Sequence, residues 1–374
     1  MGVAVSVFDS IGRCGQTLAR GRRAAASRSR AGRCRGRPSP GGPPGTGHGR
    51  GGGSHDRKAS SMTIRFRRGA GLTAAAVLAL IPLSGCAGDS AAAPTATPAA
   101  ASGTAPAAAS GPARGEYVPD FKHLEKEYDA TLGVYALDTG SGEAVAYNAD
   151  ERFAYASTHK AFSAGAVLEQ TPMDELDKHI TYTEDDLLDY APITEKHVEE
   201  GMELREVIDA AVRYSDNTAA NLLFEELGGP AGLQEALREI GDETTSVDRI
   251  EPGLNDWEPG DLRDTSTPQA LATSLRAYTL GDVLPEEKRE ILVDMMRRNT
   301  TGDDVIRAGV PGDWTVGDKT GSGAYGTRND IAVLWPPQDD PIVVAVLTKR
   351  DTSDAEREDA LLAESAEVVA DVLG

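Results

Sequence analysis

Ser157-Thr158-His159-Lys160-Ala161-Phe162-Ser163-Ala164-Gly165-Ala166-Val167-Leu168 is the stretch on which the fold turns. From Ala161 to Leu168 the run is apolar and small-sided with no polar face, the pattern of a helix buried on all sides. The segment before it, Glu143 to Ala156, reads as a strand followed by a short connection. Ser157 then stands at or near a helix N-terminus, where free N–H groups and the helix dipole favour developing negative charge. Lys160, three residues on, shares a helix face with Ser157. A serine hydroxyl is a weak nucleophile until a neighbouring base takes its proton, and a desolvated lysine can be that base. The same residues can equally be a serine cap beside an unrelated lysine, since about one S-x-x-K match is expected by chance in a chain of this length.

Outward from this stretch, strand-like segments lie at both ends of the chain. Phe121 to Asp129 reads as a helix, and Leu132 to Leu137 and Glu143 to Tyr147 as strands joined by the hairpin turn Thr139-Gly140-Ser141-Gly142. Downstream the period is helical. Leu204, Val207, Ile208, Ala211 and Val212 make one apolar face, Thr218 to Leu227 stops at Gly228-Gly229, and Gly232 to Ile240 adds a further helix. An irregular stretch from Asp242 to Pro268 precedes helices from Pro268 to Arg298. Trp314 to Lys319, Thr327 to Trp335 and Ile342 to Thr348 return to strand, and Asp354 to Leu373 reads as a last helix with an acidic first turn. Strands at both ends with helices between predict an α/β (α+β sandwich) fold: an antiparallel five-stranded sheet flanked by helices, plus an all-helical lobe. The α/β lobe is expected over 116–155 and 299–374 and the helical lobe over 156–298, with Ser157 where they meet.

The chain has 374 residues and a formal net charge of −21. Residues 1–61 are rich in Arg, Gly and Ser and cannot bury a core, so they are expected to be disordered or to lie upstream of a true start at Met62. Residues 62–86 have the order of a secretion signal: Arg65, Arg67 and Arg68, the apolar Leu72 to Leu83, then Leu83-Ser84-Gly85-Cys86. That ending resembles a bacterial lipobox and implies a lipidated Cys86, against an ordinary signal peptide cut elsewhere; Arg67-Arg68 leaves twin-arginine export open. Residues 87–115, rich in Ala, Pro, Ser and Thr, read as a flexible tether to a folded part at 116–374. The expected location is outside the cell, on the outer face of the membrane. Cys14 and Cys34 precede Met62, so the exported part has no disulfide, no cysteine-ligated metal and no cysteine nucleophile. The acidic balance argues against nucleic acid as a partner. The histidines form no H-x-H or H-E-x-x-H cluster, so neither a zinc site nor another cofactor is expected, and a monomer is.

Three further motifs follow Ser157 in order. Ser215-Asp216-Asn217 falls between two helices, Glu251-Pro252-Gly253-Leu254-Asn255 lies in the irregular stretch, and Lys319-Thr320-Gly321 ends a strand. Each is weak alone: a cap, a solvated loop, a strand entering a turn. S-x-x-K, S-D-N and K-T-G together are the signature of class A β-lactamases and penicillin-binding proteins. With Tyr190, Asn221, Arg249, Asp264, Gly317-Asp318-Lys319-Thr320-Gly321-Ser322-Gly323 and Arg328 in place, the chain from Tyr117 onward resembles a serine β-lactamase of class A.

The resemblance implies a set of roles and a β-lactam substrate. Ser157 attacks the lactam carbonyl, with its own N–H and that of Ser322 as the oxyanion hole. Lys160 assists proton removal and Ser215 relays the proton to the leaving nitrogen. Lys319, Thr320, Gly321, Ser322 and Arg328 line the substrate carboxylate's side, Asn217 meets the amide side chain, and Tyr190 walls the cleft. Glu251, with Asn255, holds the water that cleaves the acyl-enzyme; whether it or the lysine drives acylation is disputed for the family. Asn221 and Asp216 are supports, and Arg249 with Asp264 braces the Glu251 loop, although such a pair can also be a surface bridge of little worth. The nearest alternative is a D-Ala-D-Ala carboxypeptidase or penicillin-binding protein, which would not need Glu251. One residue departs from the family pattern: His159 stands where phenylalanine is usual. It reads as a buried neutral imidazole with one partner, or as a group that shifts the lysine and lowers activity at acid pH.

Overall fold

The computed structural model describes residues 117–374. The expected N-terminal extension, signal segment with Cys86, and tether lie outside the described residues. Five strands, β1 Thr131–Asp138, β2 Ala144–Tyr147, β3 Thr315–Ser322, β4 Arg328–Trp335 and β5 Ile342–Lys349, form one antiparallel sheet in the order β2-β1-β5-β4-β3. The two halves of the chain meet at β1 and β5, in register from Thr131 opposite Lys349 to Asp138 opposite Ile342.

The inner strands carry unbroken apolar runs because both sheet faces are covered. Side chains alternate across a strand. Ile331, Val333, Val343, Ala345 and Leu347 therefore enter the core shared with the helical body. Ala332, Leu334, Ile342, Val344 and Val346 enter the opposite core, beneath α1 (Val118–Tyr128) and α8 (Asp359–Leu373). Each fully buried Val, Leu or Ile contributes about 1.5–3 kcal/mol. The helical body holds α2 His159–Gln170, α3 Leu204–Arg213, α4 Asn217–Glu226, α5 Pro230–Glu239, α6 Pro268–Thr279 and α7 Glu286–Arg297. Every residue of α2 from His159 to Leu168 is buried, as the apolar run predicted. The chain enters α2 through a 3-10 turn, Ala156–Thr158.

Two boundaries differ from expectation. The strand bearing Lys319 runs on to Ser322, because Gly321 and Ser322 stay paired with Asn329 and Arg328. The last helix begins at Asp359 instead of Asp354. Glu358 is extended there, and the Asp359 carboxylate is engaged 2.5 Å from Arg328 Nε, so the preceding residues cross the sheet end as a loop.

A short ribbon, Phe153–Ala154 paired with Thr265–Ser266, fastens the approach to Ser157 to the far end of the Glu251 loop. One residue on, Tyr155 N–H donates to the Asp264 carbonyl at 3.3 Å. The nucleophile candidate and the acidic loop thus share one anchor.

Candidate active site

Ser157 is placed by three neighbours. Asn329 on β4 donates to the carbonyls of Ala154 at 2.7 Å and Tyr155 at 3.2 Å, pinning the chain that leads into the turn. Ala156 before it has a positive φ of 49°, a strained state for a residue with a Cβ. On the third side β3 passes so close that a Cβ on Gly321 would sit 2.8 Å from the Tyr155 carbonyl oxygen and 3.1 Å from Ser157 N. Only glycine fits, which gives the last residue of Lys319-Thr320-Gly321 its reason.

Around the Ser157 hydroxyl lies a closed set of buried polar groups. Ser157 Oγ is 3.4 Å from Glu251 Oε1. Lys160 Nζ is 3.2 Å from the same oxygen, and donates to Ser215 O at 2.8 Å and Asn217 Oδ1 at 2.6 Å. Three acceptors for three N–H groups suit an ammonium. Burial lowers the Lys160 pKa, and the Glu251 carboxylate offsets only part of that. Burial alone would push Glu251 up; Lys160 and then His159 outweigh it and hold the carboxyl at about 2. Lys160 and Glu251 thus meet as a buried salt bridge at 3.2 Å. Among the described residues no hydrogen bond joins Lys160 directly to Ser157; the link runs through Glu251 Oε1.

The strand side is cationic. Lys319 Nζ donates to Ser215 Oγ at 3.1 Å and to the Thr320 carbonyl at 2.8 Å. Burial, then the nearby Lys160 charge, lowers the Lys319 pKa to about 7. Ser215 Oγ lies between the two lysines, 3.4 Å from Lys160 Nζ, on a residue with a positive φ of 56°. Asp216 caps α4 through Ala219 N–H and also accepts from Ile193, Thr194 N–H and Thr194 Oγ1, so it ties the Ser215 turn to the loop beyond Tyr190. Asn217 Nδ2 donates to the Asp189 carbonyl at 2.9 Å, so its side-chain amide is engaged at both ends.

Glu251 is held from several directions. Asn255 Nδ2 donates to Oε2, while Asn221 exchanges both of its amide groups with the Glu251 backbone at 2.9 Å each. At the loop base, fully buried Asp264 accepts from Tyr155 Oη at 3.1 Å and from the N–H groups of Asp248 and Arg249, and pairs with Arg249 Nε.

Ser157, Tyr190, Ser215, Asn217, Asn255, Thr320, Gly321, Ser322 and Arg328 line one cleft of about 380 Å³. Glu251, Lys160 and Lys319 lie beneath its floor. Thr300, Thr301 and Arg357 also line it and carried no recognisable spacing in the sequence. Thr301 Oγ1 meets Thr320 Oγ1 at 2.6 Å, and Arg328 is shared between Ser322 Oγ at 3.2 Å and Asp359. Asn329 was missed for the same reason: a lone Asn in a strand has no signature.

A hydroxyl beside a buried ion pair, opening on a cleft with cationic walls, is what covalent acyl transfer through a serine requires. Fold and cleft together fit the two-lobed serine enzymes that work through an acyl intermediate. A model of the β-lactamase enzyme family matches residues 118–372. The chain is 58% identical over 253 residues to a β-lactamase of Bacillus amyloliquefaciens, covering 68% of this chain and 83% of that one. It is 61% identical over 255 residues to a β-lactamase of Amycolatopsis lactamdurans, covering 68% and 84%. The crystal structure of a class A β-lactamase from Clostridium kluyveri superposes with a TM-score of 0.68 at 50% identity, over 68% of this chain and 97% of that one. A halotolerant bacterial β-lactamase superposes with a TM-score of 0.67 at 55% identity, over 68% and 98%. The chain belongs to the β-lactamase enzyme family, and within it to class A.

Proposed function

We infer that the protein hydrolyses β-lactams through an acyl-serine intermediate and so inactivates these antibiotics. One observation carries this: Glu251 Oε1 lies 3.4 Å from the Ser157 hydroxyl while Oε2 is held by Asn255. A carboxylate so placed can serve both halves of the reaction. In acylation Ser157 Oγ loses its proton to Glu251, directly or by way of Lys160, and bonds to the lactam carbonyl carbon. The C–N bond breaks, and the nitrogen takes a proton from Ser215 Oγ; Lys160 resupplies Ser215 and regains the Ser157 proton from Glu251, which leaves the carboxylate ionised again. In deacylation a water gives its proton to Glu251, its oxygen bonds to the ester carbon, and Ser157 Oγ leaves and is reprotonated. The Ser157 and Ser322 N–H groups face the developing oxyanion, worth about 2.7–4 kcal/mol each. Lys319, Thr320 and Arg328 take the substrate carboxylate. Asn217 must release part of its present bonding to meet the amide side chain, and Tyr190 closes the cleft mouth.

A D-Ala-D-Ala carboxypeptidase shares the serine, the lysines and Ser215 but has no use for a braced carboxylate at Glu251. With a chromogenic cephalosporin in large excess, the purified protein is expected to turn over many equivalents. A single stoichiometric burst, or cleavage of a D-Ala-D-Ala peptide in preference to the lactam, contradicts this assignment.

We further propose that the protein is exported and held at the outer membrane face by lipid on Cys86, with the Ala- and Pro-rich segment as tether. The order of charges, apolar run and Leu83-Ser84-Gly85-Cys86 supports it. Cys86→Ser is expected to move activity from the membrane fraction into the medium. Activity that stays membrane-bound rules out the Cys86 anchor.

A further inference from the structure

His159 is the residue the family pattern does not explain, and its surroundings give it a task. The ring is buried between elements: it stacks on Phe224 of α4 with centroids 5.1 Å apart and planes 21° apart, and leans on Tyr155 at 6.0 Å. Nδ1 lies 3.1 Å from Ser163 Oγ, one helical turn along α2. Nε2 points at Glu251 Oε1 from 3.6 Å and has no hydrogen-bond partner among the described residues. A neutral imidazole carries its proton on one nitrogen only. With the proton on Nδ1, a bare nitrogen lone pair would face a carboxylate oxygen inside the protein. With Ser163 donating to Nδ1, the proton sits on Nε2 and faces that oxygen with the favourable sign. A closure of roughly half an ångström completes the hydrogen bond.

We propose that His159 is a positioning residue for Glu251: its Nε2–H, fixed by Ser163 and Phe224, keeps the carboxylate ionised and aimed at Ser157, and so carries turnover to lower pH. The proposal rests on the reading of Glu251 as the group that activates water. His159 acts through Glu251 and does not line the cleft. Other groups facing the carboxylate are Ser157 from the 3-10 turn, Lys160 from the start of α2, Asn255 from its own loop and Asn221 from α4, the last on its backbone. Those acting on the imidazole are Glu251, Lys160 and, from β3, Lys319; burial, opposed by Glu251, lowers its pKa and keeps the ring neutral. A neutral donor suits this place better than a cation would, because Lys160 already supplies the positive charge. The sign is the reverse of the sequence expectation. The Nε2 of His159 faces the carboxylate at 3.6 Å, so it widens the acid range.

The test compares kcat against pH for the purified wild type, His159→Phe and His159→Gln. Phenylalanine keeps the stack on Phe224 but has no N–H, while glutamine can bring an N–H to the same place. The acid limb of His159→Phe is expected to move up by about 0.5–1 pH unit, a three- to tenfold lower kcat below both midpoints, with the alkaline limb unmoved. His159→Gln is expected to restore the wild-type limb. Superimposable wild-type and Phe profiles overturn the proposal, and so does a shift shared equally by Phe and Gln, which would belong to ring packing. Glu251→Gln is the control for the underlying assignment. If it turns over normally, that assignment has failed; if it stalls while the His159→Phe profile matches wild type, only the role of His159 has.

Discussion

Glu251→Gln is expected to react with a penicillin in a slowed but complete acylation, and then to stop, with the intact mass of the protein raised by one penicilloyl group. The amide keeps the size of the side chain and its contact with Asn255, but cannot accept a proton from water. A positioned general base is worth about 10²–10⁴ in rate, or roughly 3–5 kcal/mol of barrier. The carboxyl is held at about 2 by Lys160 and His159 against the push of burial, so it is charged and ready across the neutral range. Acylation falls by less than deacylation because Lys160 Nζ stays 3.4 Å from Ser215 Oγ and still offers a proton path. Equal slowing of both steps would mean that Lys160 alone cannot serve acylation. Rapid loss of the adduct would remove Glu251 from deacylation altogether.

Arg249→Ala carries the largest expected cost in stability. Asp264 is fully buried, and Arg249 Nε at 2.5 Å is its counter-ion. Removing the guanidinium leaves the carboxylate with Tyr155 Oη and two backbone N–H groups but no positive charge. Breaking a buried pair from one side typically costs about 3–5 kcal/mol. Arg249 itself is about one-fifth exposed, so water can partly replace it and the low end, about 3 kcal/mol, is expected. For a domain of this size that is a drop in Tm of roughly 6–12 °C. The loop that Asp264 anchors also carries Glu251, so deacylation should slow more than acylation. Arg249→Lys, which keeps the charge and loses the fork, should fall between. A Tm change below about 2 °C for Arg249→Ala would reduce the pair to an ordinary surface bridge.

Much of this site is legible in the linear sequence because its chemistry sits at fixed local spacings. Ser157 and Lys160 are one helical turn apart, Asp216 within Ser215-Asp216-Asn217 caps a helix, and Asn255 ends the 3-10 turn Gly253–Asn255 that follows Glu251. The apolar runs of β4 and β5 announce a sheet covered on both faces. What stays hidden is set by contacts between distant segments. Asn329 pins the Ser157 turn from a strand more than 170 residues away. Asp359, the first residue of the last helix, pairs with Arg328, and Arg357 in the loop just before it lines the cleft. His159 is the sharpest case. Its departure from the family is visible at once, yet its partner is Glu251, in a loop that comes near only when the chain folds. Sequence proximity pointed instead to Lys160.

The most direct measurement is a crystal structure of the Glu251→Gln penicilloyl-enzyme, trapped before it can turn over. The expected result is an ester on Ser157 Oγ with a water held between the residue 251 side chain and Asn255, on the face of the ester carbonyl carbon. A side chain at 251 turned away from the ester, with no room for a water beside it, would contradict hydrolysis by this carboxylate.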